Sequence, residues 1–129
     1  LCFQVLQKMS KKKISINKSK ILLMGFTFKE NCPDIRNSKS LDVYNELKKF
    51  NCEVDIHDPW ANKDECFSKY NVRILDEPKK NYYDAIIFLV AHNSYKKMSF
   101  KKIRKFTKKN SIIYDAKYIL NKSLVDGRL

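Results

Sequence analysis

From Lys20 onward, short apolar runs alternate with amphipathic stretches, and this alternation restricts the chain to one broad architecture. Runs such as Ile21 to Gly25 and Ala85 to Val90 are apolar almost throughout. Strands read that way when they lie in a parallel sheet with helices on both faces. Strands are expected at Ile21 to Gly25, Glu53 to His57, Val72 to Leu75, Ala85 to Val90 and Ser111 to Tyr114. Helices are expected at Ser38 to Phe50, Asn62 to Tyr70 and Ser99 to Lys109. Leu41, Tyr44 and Leu47 make the inner stripe of one helix, and Phe100, Ile103 and Phe106 that of another.

The expected fold is therefore α/β: a three-layer Rossmann-like domain whose parallel sheet has five to six strands. A chain of 129 residues with 43% hydrophobic composition suits one such domain and one substantial core. Ahead of it, Leu1, Val5, Leu6 and Met9 share one side at helical spacing, so Leu1 to Lys13 read as the last turns of an amphipathic helix. Starting in mid-helix without an N-cap suggests a piece of a longer protein. The expected division is residues 1–18 as helix end and linker and 19–129 as the domain. The four-residue apolar stripe is expected to face outward and to favour a homodimer through this helix.

Composition narrows the function classes. No run approaches the roughly 20 apolar residues of a membrane span, and Leu1 is not preceded by a basic leader, so the expectation is a soluble, cytoplasmic protein without a membrane partner. Cys2, Cys32, Cys52 and Cys66 are widely spaced, with no CxxC pair, and His57 and His92 complete no ligand set, so no metal is expected. The formal charge of +13 attracts polyanions in general. Its lysines are scattered over every segment instead of forming one stripe interleaved with aromatics, so no nucleic-acid partner is expected. The Lys96 to Lys105 run reads as a solvated helix face.

In doubly wound sheets, ligands bind beyond the carboxyl ends of the strands, near the switch in strand order. The first strand ends in GFTFKENCPDIRNS, Gly25 to Ser38, a long polar loop where a dinucleotide site would have a GxGxxG turn. With Gly25 as its only glycine, the loop cannot bring successive backbone amides against a pyrophosphate in that way. It offers instead Lys29 as a point charge, Arg36 as a planar fork and Asp34 between them, a set suited to phosphates or carboxylates. A solvated loop whose charges pair with one another is the plainer alternative.

This segment resembles the signature that opens the C-terminal, UDP-binding domain of the UDP-glucose/GDP-mannose dehydrogenase family. The likeness continues through Val54 to Trp60 (VDIHDPW), Asp84 to His92 (DAIIFLVAH), Ile112 to Lys117 (IIYDAK) and Val125 to Leu129 (VDGRL). The TFKENCPDIRN form is most similar to the branch that oxidises UDP-N-acetylhexosamines, of gluco or galacto configuration. Members of the family oxidise the sugar C6 alcohol to a carboxylate with NAD, through a cysteine-bound intermediate.

The resemblance implies that Phe28, Lys29 and Lys117 contact the UDP-sugar. It also implies that Arg36 reaches across a domain interface to NAD, with Asp34 as an orienter of Arg36 or Lys29. The family's NAD fingerprint and its GGxCxxxD nucleophile stretch are absent from these residues, so no catalytic residue is expected here. Cys32 lacks a neighbouring base and is not expected to act as a nucleophile. A stand-alone nucleotide-sugar-binding module and a basic nucleic-acid-binding domain are the competing readings.

Three further residues have structural readings. Asp58 is expected to form a turn before Pro59. His92 is expected to be a hydrogen-bonded structural histidine at a strand end. Trp60 is expected to be either a plug under the loop or a stacking platform.

Overall fold

Five residues, Lys20–Met24, form strand β1 in the middle of the sheet in the computed structural model, which describes residues 1–129. β1 pairs in parallel with β2 (Glu53–His57) on one side and β4 (Tyr83–Phe88) on the other, so that Leu23 lies between Ile56 and Ile87. With β3 (Ile74–Leu75), β5 (Thr107–Asp115) and β6 (Gly127–Arg128), the sheet has six strands in the order β3-β2-β1-β4-β5-β6. Every pairing is parallel. The chain winds outward through β2 and β3 and then returns to lay β4 against β1. The switch point therefore falls between β1 and β4.

The uniformly apolar strands hide a two-sided alternation. Ile21 and Leu23 of β1, Ala85 and Ile87 of β4, and Ile112 and Tyr114 of β5 enter one buried cluster. Their neighbours Leu22, Met24, Ile86, Phe88 and Ile113 enter the other. Period-two geometry sends successive side chains to opposite faces, and both faces are dry because helices cover each. Helices α1 (Cys2–Lys11), α2 (Lys39–Lys49) and α3 (Lys63–Tyr70) contribute Met9, Leu47 and Cys66 to the first cluster. The short α4 (Asn93–Lys96) and α5 (Phe100–Phe106) contribute Tyr95, Ile103 and Phe106 to the second. Ser38, Asn62 and Ser99 each cap a helix by accepting from the amide three residues on.

Some sequence expectations need correction. The last long helix does not run to Lys109: α5 stops at Phe106, and β5 begins at once with Thr107, paired with Tyr83. Phe106 and Thr107 are both buried, and the Thr107 hydroxyl closes the helix by donating to the Arg104 carbonyl. Helix α4 was not anticipated, and it divides the Lys96 to Lys105 run expected as one solvated helix face: residues 97–99 lie between α4 and α5, and Ile103 is buried.

The apolar stripe of the first helix is not offered to water either. Val5, Leu6 and Met9 are buried with Cys2 in the chain's own core, Leu1 packs against it, and Phe3 is the exposed large apolar residue of α1. Ile14 and Ile16 pack on the same core, so the segment between α1 and β1 is held to the domain. No helix is long and apolar enough to cross a membrane.

Candidate functional site

The loop from Gly25 to Ser38 is fastened at both ends by buried apolar residues. Phe26 and Ile35 are buried to within 1%, and the Ile35 carbonyl accepts from the Tyr70 hydroxyl at 3.1 Å. Ser38 both caps α2 and donates to the Phe26 carbonyl at 2.6 Å, tying the loop's two ends together. Inside this frame the Phe28 amide donates to the Asp34 carbonyl at 2.7 Å, and the Thr27 hydroxyl donates to the Lys29 carbonyl at 3.0 Å. Asn31 and Asn37 take up left-handed backbone conformations, φ 54° and 55°, that let the loop turn back. Phe28 is left 55% exposed and Lys29 exposed at the crest.

Phe28, Lys29 and Lys117 line one cleft of about 240 Å³ at the carboxyl ends of β1, β4 and β5. Thr27, Leu89 and Val90 form part of its wall, and Asn37, Lys39 and Ser40 complete it at the start of α2. Lys29, Lys39 and Lys117 form no ion pair, and no Asp or Glu lines the cleft. The first amides of a helix have no intrahelical partner and carry the positive end of its dipole. An anion entering here would meet three ammonium groups and the amino end of α2. Lys39 and Asn37 escaped sequence reasoning because nothing local distinguishes them from a solvated helix start. The Ser38 cap signal, combined with the switch-point rule, could have found them.

Arg36 does not line the cleft. Its Nε and Nη2 grip Asp34 Oδ1 and Oδ2 at 3.0 and 2.9 Å, its backbone amide donates to Asp34 Oδ1, and its side chain is 75% exposed. Those Arg36 hydrogen bonds hold the Asp34 carboxyl down to about 2. Asp34 thus orients Arg36 and makes no bond to Lys29.

Gly25 does not open a dinucleotide cradle. It has φ +109°, and a Cβ there would lie 2.6 Å from Val90 Cβ, so the turn is already filled by the chain's own β4 side. Together with the absence of further loop glycines, this does not fit a dinucleotide pyrophosphate held by these residues.

Behind the loop, Asp58 does more than form a turn. Its Oδ1 accepts from the Trp60 and Ala61 amides at 2.7 and 3.1 Å, as a turn-forming Asp does, while Oδ2 accepts from the Phe26 and Thr27 amides at 2.6 and 3.0 Å. His92 is fully buried and sets Nε2 2.9 Å from the same Oδ2. Burial opposes the Asp58 charge, yet the His92 hydrogen bond and the two loop amides hold its carboxyl below the usual carboxylate range. Trp60 is half-exposed and stacks roughly parallel to the His92 ring at 6.5 Å, so it covers the pair from outside instead of plugging the core.

A Rossmann-like sheet with an unpaired cationic cleft at its switch point defines a domain of the class that receives phosphate-bearing ligands. Residues 22–122 match the UDP-glucose/GDP-mannose dehydrogenase family, UDP binding domain, and the chain belongs to that family. It is 45% identical over 126 residues to UDP-N-acetyl-D-glucosamine 6-dehydrogenase from Salmonella typhi and 40% identical to that from Pseudomonas aeruginosa. Each comparison covers 98% of this chain, which spans 30% of the length of those relatives. In fold it is similar to the NDP-N-acetyl-D-galactosaminuronic acid dehydrogenase of Methanosarcina mazei Go1. That similarity has a TM-score of 0.81 at 22% identity and covers 93% of this chain and 25% of that one.

Proposed function

We propose that this chain is the nucleotide-sugar-gripping domain of an NAD-dependent UDP-N-acetylhexosamine 6-dehydrogenase. The observation that carries the reading is the cleft in which Phe28, Lys29 and Lys117 converge with Lys39 and no carboxylate. A diphosphate needs such cations, and the exposed Phe28 ring offers a flat apolar surface to a base or sugar ring.

Binding is the whole task of these residues. Lys29 and Lys117 neutralise the diphosphate, Lys39 and the amino end of α2 add to the field, and Phe28 covers one side of the ligand. Arg36, outside the cleft lining and held by Asp34, is the residue here that meets NAD, whose main site lies outside these residues. Oxidation of the C6 alcohol to a carboxylate, in the cytoplasm and for surface polysaccharide synthesis, belongs to the longer enzyme. The 129 residues contain neither a GxGxxG turn nor a GGxCxxxD stretch, and alone they oxidise nothing. A homodimer through the first helix is part of the same reading. Its support is the apolar groove between α1 and α2 that ends in the exposed Phe3 and Phe50.

Calorimetric titration of this chain with UDP-N-acetylglucosamine, UDP-N-acetylgalactosamine, UDP and NAD tests the reading. Saturable heats with the UDP ligands, markedly weakened in Lys29→Ala, and none with NAD are expected. Equal weak heats from all four ligands, unchanged by the substitution, would overturn it.

A further inference from the structure

We propose that His92 is a positioning residue for nucleotide-sugar binding, a latch that fixes the crest of the ligand loop through its Nδ1 while its Nε2 is anchored on Asp58. The inference rests on the reading of the cleft as the UDP-sugar site. It adds a residue that touches no ligand.

The hydrogen-bond directions define the latch. The Asn31 amide donates to His92 Nδ1 at 3.0 Å, so that nitrogen carries no proton and the ring proton sits on Nε2. Nε2 points at Asp58 Oδ2, 2.9 Å away, with the Thr27 hydroxyl oxygen at 3.3 Å. The same Oδ2 already holds the amides of Phe26 and Thr27, immediately before the ligand-facing residues, and Nδ1 holds Asn31, immediately after them. Phe28, Lys29 and Glu30 therefore span the two fixed points. A second clasp runs back from the Asn93 amide to the Asn31 side-chain carbonyl at 3.0 Å, so the β4 end and the loop grip each other reciprocally.

The ring is enclosed: it is fully buried, edge-on to Tyr95 at 5.4 Å and roughly parallel to Trp60. A core histidine needed only for packing would not have one nitrogen bound to the loop at Asn31 and the other to the Asp58 carboxylate that holds the same loop at Phe26 and Thr27. Lys29 has no ion pair of its own to hold it in place. Its position in the cleft derives from this backbone, which turns an ordering cost at binding into one met during folding.

The two ring nitrogens can be separated by substitution. His92→Gln keeps a donor near the Nε2 position for Asp58 and loses the acceptor for Asn31, whereas His92→Asn places its carbonyl near Nδ1 and keeps that acceptor. The chain and both variants are compared by amide hydrogen exchange, thermal melting and calorimetry with UDP-N-acetylglucosamine, with Lys29→Ala as a reference. Expected is faster exchange at the Asn31 amide and at least tenfold weaker binding in His92→Gln, with binding largely retained in His92→Asn, out of step with their melting temperatures. Wild-type affinity in His92→Gln despite an exposed Asn31 amide would overturn the latch, as would losses in both variants that merely follow melting temperature. Failure of the underlying reading is distinguishable: the unsubstituted chain would then bind no better than Lys29→Ala.

Discussion

The Cα of Gly25 faces Val90 so closely that a Cβ on it would lie 2.6 Å from the Val90 Cβ and 2.8 Å from the Val90 backbone nitrogen. The backbone there has φ +109°, a region L side chains rarely adopt. Strain of that kind costs about 1–3 kcal/mol, and the clash with Val90 backbone adds to it. Gly25→Ala should therefore cost at least about 3 kcal/mol, read as a large fall in melting temperature by circular dichroism. A melting temperature within a degree or two of the original would mean that the turn after β1 can relax in a way this packing forbids.

Asp34 and Arg36 give a pH prediction on a different scale. The two-pronged Arg36 contact holds the Asp34 carboxyl at about 2, below the ordinary 3.8. A depressed carboxyl contributes stability above its unfolded value, and that contribution is lost as pH falls toward the folded one, here between about 4 and about 2. A carbon-detected NMR titration should find the Asp34 midpoint near 2 and see it return toward 3.8 in Arg36→Ala. The same substitution should leave UDP-sugar binding by this chain unchanged, because Arg36 is outside the cleft. A large loss of UDP affinity in Arg36→Ala would place the arginine on the wrong ligand.

Charge dominates the cleft, so its lysines should respond to salt and to substitution. A hydrogen bond to an ionised phosphate is typically worth about 1.5–3 kcal/mol. Lys29→Ala and Lys117→Ala should thus each weaken UDP binding by about tenfold or more, since about 1.4 kcal/mol is a factor of ten. Raising the ionic strength should weaken the original chain more than either variant, because each variant has one cation fewer to screen. Salt-independent binding would point to a ligand gripped by Phe28 and the loop backbone, with little part played by the ammonium groups.

How far the sequence could reach depends on the range of the interactions involved. The strands that carry the sheet were legible because burial on both faces forces apolar runs such as Ile21 to Met24. β6 was not: its two residues, Gly127 and Arg128, are held by pairing with Tyr114 and Asp115 and carry no apolar signature. The end of α5 was misplaced because Lys108 and Lys109 continue a helical polar pattern, whereas the decisive contact is Thr107 against Tyr83, across the sheet.

The site was half legible for the same reason. Lys29 follows from the rule that loops at carboxyl ends of strands hold ligands, Lys117 came only from the family resemblance, and the Asp34–Arg36 pair is local. The Asp58–His92 pair joins residues 34 apart, and its purpose appears only once the Phe26, Thr27 and Asn31 amides converge on it. Read alone, Asp58 before Pro59 is a turn, and in the structure it is a turn as well.

Thiol accessibility is a further test of the packing. Burial pushes the Cys2 and Cys66 thiols up to about 11, and Cys52 is likewise buried, next to the Ser19 hydroxyl at 3.4 Å. Only Cys32, in the ligand loop, is part-exposed. Iodoacetamide at pH 8 should therefore modify one thiol in the native chain and four in denaturant, with mass spectrometry placing the native adduct on Cys32. Native labelling of Cys2 or Cys66 at a similar rate would show that α1 or α3 opens readily.

The role of α1 is decided by whether its stripe belongs to this core or to another subunit. Met9 is fully buried with Val5 in the cluster that holds Ile21, Leu23 and Ile112. Truncating a buried Met typically costs about 2–5 kcal/mol, from lost burial and the cavity left behind. Met9→Ala should lower the melting temperature at every protein concentration while leaving the sedimentation coefficient unaltered. Phe3 is 75% exposed and should behave in the opposite way. Phe3→Ser should leave the melting temperature of the monomer unchanged and should weaken whatever self-association occurs through this helix, because removing one large exposed ring touches an interface without opening the core. A Met9→Ala chain that melts normally but sediments as a smaller species would reverse these assignments and return the stripe to an intersubunit role.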